Sequence, residues 1–125
     1  MSKLKILMLD DQQGPIFANI IVNFCEIDCD MNIVTDLTSA ETALEQSQYN
    51  FIFIDYNLGN GNFGYQIMDT VNKTQEKITT VLLTSESADF VEEKRKEQGI
   101  EYYIDKNYTN IADIVERFKK IIHKK

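Results

Sequence analysis

The segment Phe51-Ile52-Phe53-Ile54 is apolar at every position and closes in Asp55. A strand with one solvated face alternates apolar and polar residues. An unbroken apolar run belongs instead to a strand covered on both faces, the pattern of parallel α/β sheets. Leu4–Leu9 and Ile78–Leu83 are nearly as continuous. Each run ends in a chemically active side chain: Asp10-Asp11 after the first, Asp55 after the next, Thr84 after the last, while Tyr102–Ile104 is soon followed by Lys106. An unpaired charge is costly to desolvate, so acids at the ends of apolar strands need a partner. A hydroxyl, a cation and three carboxylates at the exits of different strands predict one site on one edge of a parallel sheet.

The bulk of the chain narrows the function classes. At 125 residues it suits one domain spanning 1–125, and such a domain buries roughly two-thirds of its unfolded surface without a metal or disulfide staple. A formal net charge of −7 disfavours nucleic acid as a direct partner. Cys25 and Cys29 match neither redox nor zinc spacing, and His123 is distant, so both read as small residues near a helix end. Without a disulfide framework, the reducing cytoplasm is the expected compartment. The apolar run after Met1-Ser2-Lys3 is too short for a membrane span and lacks a small-residue cleavage site. We therefore expect no membrane partner.

Strand-like and helix-like stretches alternate along the chain. Pro15 suits a first helical turn, and Ile16, Ile20, Ile21 and Phe24 follow at helical spacing. Met31–Val34 reads as a second, shorter strand, and Thr38-Ser39-Ala40-Glu41 resembles a capping box for a helix to about Gln46. Asn57 to Gly64 reads as a Gly/Asn-rich loop with an Asn60-Gly61 turn, followed by a helix through Tyr65, Ile67, Met68 and Val71. Ser87 and Gly99 bracket a further helix, Glu101–Asp105 is the fifth strand, and a last helix starts near Asn110. Strict alternation with short connections implies right-handed crossovers and a doubly wound α/β sheet.

Ligands of open α/β sheets bind at the C-terminal strand ends. Asp10, Asp11 and Asp55 on that edge repel one another, so protons or a cation must neutralise them. Mg²⁺ fits best, as a hard ion that takes oxygen ligands and bridges to phosphate. An ionised Asp beside it is a nucleophile toward phosphorus. Lys106 and Thr84 supply charge and a hydrogen bond to phosphoryl oxygens. Taken singly, each has an ordinary reading: loop acids, a strand-end hydroxyl, a solvated lysine, a half-buried Tyr103. The joint arrangement is what points to phosphoryl chemistry.

With these residues in place, the whole chain resembles the receiver domain of two-component response regulators. The resemblance implies a flavodoxin-like (βα)5 fold with a parallel five-stranded sheet of order 2-1-3-4-5. It implies that Asp55 accepts a phosphoryl group from a histidine kinase or phosphotransfer protein. Asp10, Asp11 and Asp55 would bind Mg²⁺, or Mn²⁺ in its place, with the backbone carbonyl of Asn57 as a further ligand. Lys106 would pair with the phosphoryl group and Thr84 would hydrogen-bond it. The family further implies a switch in which Thr84 moves toward the phosphoryl group and Tyr103 rotates inward, helped by the small Ser85. A changed face of the fourth helix, fifth strand and fifth helix would then meet a downstream protein target. Asn57 and Glu86 occupy the positions that bear on phosphoryl lifetime, and their pairing resembles the short-lived, single-domain chemotaxis type. Such a protein catalyses its own modification and is not an enzyme acting on a free substrate.

The sequence departs from the family where Gly59 replaces a usual Pro, where Gly59 to Gly64 is rich in Gly and Asn, and where Asn107 instead of Pro follows Lys106. A trans bond is favoured before a non-proline residue, and the glycine-rich loop is expected to be the more mobile. Two other readings remain open at this level: a receiver-like binding module that works without phosphorylation, and an Asp-nucleophile phosphatase. The phosphatase would need a DxD-type pair where the chain has Asp10-Asp11-Gln12. A flavodoxin is disfavoured, because Asp10-Asp11 would repel a phosphate bound after the first strand.

Overall fold

The computed structural model describes residues 3–107 and 110–123, so both extremities of the expected 1–125 span lie outside the described residues. The elements in order are β1 (Leu4–Leu9), α1 (Gly14–Phe24), β2 (Cys29–Val34), α2 (Leu37–Gln46), β3 (Phe51–Asp55), β4 (Asn57–Gly59) and β5 (Asn62–Phe63). A short 3₁₀ turn at Gly64–Ile67 leads into α3 (Met68–Thr74), followed by β6 (Thr79–Thr84), α4 (Ala88–Gln98), β7 (Tyr102–Asp105) and α5 (Ile111–Ile122). The main sheet runs β2-β1-β3-β6-β7, with every pairing parallel. With the small β4–β5 hairpin set aside, this is the expected flavodoxin-like 2-1-3-4-5 order.

Side-chain alternation along the central strands feeds two cores, one on each face of the sheet. Ile6, Met8, Phe53, Val81 and Leu83 pack with Phe17 and Ile21 of α1 and Ile114 and Phe118 of α5. Leu7, Leu9, Ile52, Ile54 and Leu82 pack with Ala40 and Leu44 of α2, Val71 of α3 and Val91 of α4. Full burial contributes roughly 1.5–3 kcal/mol for each large aliphatic or aromatic side chain, so the doubly covered strands hold the sheet rigid where the site is built. In α1 the buried stripe is Phe17, Ile20 and Ile21, whereas Ile16 and Phe24 face solvent.

Three local readings change. β2 starts at Cys29 because it pairs with β1 from Leu4↔Cys29 onward, although Asp30 and Asn32 are exposed. The cap of α2 is Asp36, whose carboxylate accepts from the Ser39 amide at 2.7 Å, and this replaces the box expected at Thr38. The loop expected between Asn57 and Gly64 is the β4–β5 hairpin, with Asn60 at φ 51° and Gly61 at φ 78°. Two successive left-handed residues are what a tight hairpin turn demands, and Asn-Gly meets that demand at least steric cost. Two end signals hold: Asn110 caps α5 by accepting from the Asp113 amide, and Gly99 ends α4 at φ 73°. Ser87 precedes α4 but makes no side-chain capping hydrogen bond, and Tyr65 and Ile67 fall in the 3₁₀ turn ahead of α3.

Candidate functional site

Strand register assembles the site. Leu9 pairs with Ile54, so Asp10 and Asp55 leave adjacent strands side by side. Asp55 pairs with Leu83, and Thr84 pairs with Asp105. The next residues, Ser85 and Lys106, therefore exit together. The result is an open cleft of about 450 Å³ lined by Asp11, Asp55, Asn57, Thr84, Glu86 and Lys106, among others.

Asp10 is buried behind this cleft. Its Oδ1 accepts from the backbone amides of Gln12 at 3.0 Å and Gln13 at 2.8 Å, which fixes the turn from β1 into α1. Its Oδ2 is buried and has no hydrogen-bond partner; Lys106 Nζ stands 3.6 Å away. Lys106 Nζ donates to Asp55 Oδ1 at 2.8 Å and lies 5.8 Å from the centre of the Phe17 ring. Among the described residues Lys106 is the one cation paired with this group of three carboxylates, and it reaches two of them, which leaves the cluster short of positive charge. Burial pushes the Asp55 carboxyl up to about 7; the Lys106 hydrogen bond pulls it down, and the neighbouring Asp10 charge pushes it up again.

Carboxylate oxygens of Asp10, Asp11 and Asp55 all lie within 4.8 Å of one another. That spacing, the acid-only donor set and the unpartnered Asp10 Oδ2 fit a hard divalent cation held by oxygen ligands. Asp55 is 5 % exposed at the cleft floor, which keeps it reachable while its neighbours hold it in place. Thr84 is buried, and its Oγ1 accepts from the Glu86 amide at 3.0 Å, tying the β6–α4 loop down. Asn57 is exposed on the rim, with Oδ1 accepting from the Gly59 amide at 2.8 Å. Tyr103 is half-buried and packs against the core on the α2–α3–α4 side of the sheet.

Several contributors were not readable from the sequence. The Gln12 and Gln13 amides act through backbone atoms and leave no side-chain signal. A Cβ on Gly64 would run into the Asp55 carbonyl oxygen and the Ile54 side chain, so the chain passes hard against the acid's own backbone. Tyr56 packs edge-on to Phe90 of α4, with ring centres 5.6 Å apart, and also meets Phe63 of the hairpin. The peptide bond after Lys106 is trans, as expected for Asn107.

Residues 6–119 match the family model of the response regulator receiver domain. The chain belongs to that family. Solved receivers share the fold at low identity. A receiver domain protein (CheY-like) from Methanospirillum hungatei JF-1 is 18% identical, with a TM-score of 0.75 over 98% of this chain and 96% of that one. A Burkholderia pseudomallei response regulator carrying a phosphorylated aspartic acid and a calcium ion is 14% identical, with a TM-score of 0.72 over 97% and 71% of the two chains. The Mn(2+)-bound form of response regulator Rcp1 is 21% identical, with a TM-score of 0.74 over 96% and 91%. No curated protein matches the sequence significantly. This receiver domain has no described helix long and apolar enough to cross a membrane.

Proposed function

We propose that this receiver, taken as residues 1–125, is a phosphoacceptor in which Asp55 takes a phosphoryl group from the phosphohistidine of a histidine kinase or phosphotransfer protein. The observation that carries the reading is the Lys106–Asp55 contact inside a three-carboxylate cluster short of positive charge. An Asp55 oxygen attacks phosphorus as the nitrogen–phosphorus bond of the donor breaks, and the departing imidazole nitrogen keeps the electron pair and takes up a proton. Asp10, Asp11 and Asp55, with the Asn57 carbonyl, would hold Mg²⁺ or Mn²⁺. Such an ion offsets the charge on the attacking and transferring oxygens. Lys106 pairs with the transferred group by charge, and the Thr84 hydroxyl turns from the Glu86 amide to donate to it.

The added charge biases a two-state equilibrium through Thr84 and Tyr103, and a downstream protein reads the face formed by α4, β7 and α5. Asn57 and Glu86 at the rim leave water access to the aspartyl phosphate, so the modified state is short-lived. The domain changes itself and turns over no free substrate, and its partners sit in the cytoplasm. Phosphoramidate with Mg²⁺, read by intact mass, tests the assignment. We expect one phosphoryl group on the wild type and none on Asp55→Asn. No gain on either protein would overturn it and favour a module that signals without phosphorylation; equal gain on both would overturn it by placing the phosphoryl group on a residue other than Asp55.

A further inference from the structure

We propose that Asn107 is a positioning residue for Lys106, a side-chain strut that holds the lysine over Asp55 by tying the loop after β7 to the loop after β6. The proposal rests on the phosphoacceptor reading for its chemical consequence. A lysine side chain is long and rotatable, so the reach of its Nζ depends on how firmly the backbone beneath it is held. Both neighbours of Lys106 are anchored here. On one side, the Asp105 carboxylate accepts from the Asn107 amide at 2.8 Å, and the Asp105 carbonyl accepts from Arg117 at 3.1 Å. On the other, Asn107 Nδ2 donates to the Ser85 carbonyl at 3.2 Å, across 22 positions of sequence. The Lys106 amide itself donates to the Thr84 carbonyl at 2.8 Å.

Two hydrogen bonds thus join the pair Lys106-Asn107 to the pair Thr84-Ser85. The lysine and the threonine of the site therefore sit on one clamped unit. Asn107 and Ser85 are exposed, so removing the strut leaves no buried orphan and the fold should survive. An aspartate at this position keeps the size and loses the donor.

The test compares Asn107→Ala and Asn107→Asp with wild type, alone and in a Lys106→Ala background. The readouts are phosphorylation rate with phosphoramidate and Mg²⁺, and Mg²⁺ affinity. We expect both single variants to be phosphorylated on the order of tenfold more slowly, the ratio one ordinary hydrogen bond supplies, with unchanged Mg²⁺ affinity in Asn107→Ala, the variant that adds no charge to the cleft. We expect no further loss when Lys106 is already absent, because the strut acts only through it. A full rate in Asn107→Asp, or an additive loss in the Lys106→Ala background, overturns the proposal. The ¹⁵N resonance of the Lys106 ammonium reports its position without any chemistry. It should shift or broaden in Asn107→Ala, and an unchanged resonance also overturns the strut. Should the wild type take no phosphoryl group, the phosphoacceptor reading falls, and the resonance alone decides the strut.

Discussion

Lys106 Nζ donates to Asp55 Oδ1 at 2.8 Å while standing 3.6 Å from Asp10 Oδ2, so one ammonium serves two buried carboxylates. The lysine holds the resting cluster together, and under the proposed function it has a second task, to meet an incoming phosphoryl group.

Lys106→Met separates these tasks. Without the ammonium, the Asp55 carboxyl loses both its hydrogen bond and its favourable charge, and its pKa should climb above about 7. Titration of the Asp55 side-chain carbon by NMR checks this. Phosphorylation by phosphoramidate should slow on the order of a hundredfold, as for loss of one donor to developing negative charge. A titration midpoint at or below the wild-type value would contradict the geometry.

Metal-free stability should depend on pH through Asp55. Its folded pKa of about 7 lies above the 3.8 of an unperturbed Asp. The folded state therefore binds the proton more tightly, and the contribution is fully present below 3.8 and lost as pH rises through 7. The difference in urea stability between wild type and Asp55→Asn should widen against the wild type from pH 5 to pH 8, and Mg²⁺ should narrow it at pH 8. Parallel curves would show that burial does not perturb this carboxyl.

The strand ends were legible because the strands are buried on both faces. Phe51–Ile54 has no polar position, so the acid closing it stands out, and register alone then brings Asp10, Asp55 and Thr84 together. Edge strand β2 was less legible, since Cys29 and Asp30 are held by pairing with β1 and carry no apolar pattern. The hairpin after Asp55 was visible only at its Asn60-Gly61 turn. Its arms are too short for alternation to show, and what anchors them is the packing of Tyr56 on Phe63 and Phe90. Asn107 stood out only as a replacement for the family's usual Pro; its tie to the Ser85 carbonyl was not legible, because that partner is distant in sequence and belongs to the backbone.

Gly64→Ala should be strongly destabilising. The added methyl would meet the Asp55 carbonyl oxygen, which is backbone of a central strand and cannot move aside as a flexible side chain can. Overpacking of this kind costs about 1–3 kcal/mol, and the upper end applies where backbone must shift. Urea denaturation measures it, and a loss below about 0.5 kcal/mol, the range of ordinary surface changes, would mean the hairpin can swing away from Asp55.

Thr84→Val and Thr84→Ser should part company in both stability and signalling. The Thr84 hydroxyl accepts from the Glu86 amide at 3.0 Å, and the side chain is buried. Valine keeps the shape and deletes the acceptor, which leaves that amide short of its partner at a cost of about 1–2 kcal/mol. Serine keeps the acceptor, so its hydrogen bond survives the loss of one methyl group. Valine also cannot donate to a phosphoryl oxygen, and the tie between Asp55 and the β6–α4 loop is then cut. Phosphorylation of Thr84→Val should still add its group to Asp55, yet amide resonances of α4 and Tyr103 should barely respond, whereas Thr84→Ser should reproduce the wild-type response. Equal responses from the two variants would remove Thr84 from the switch.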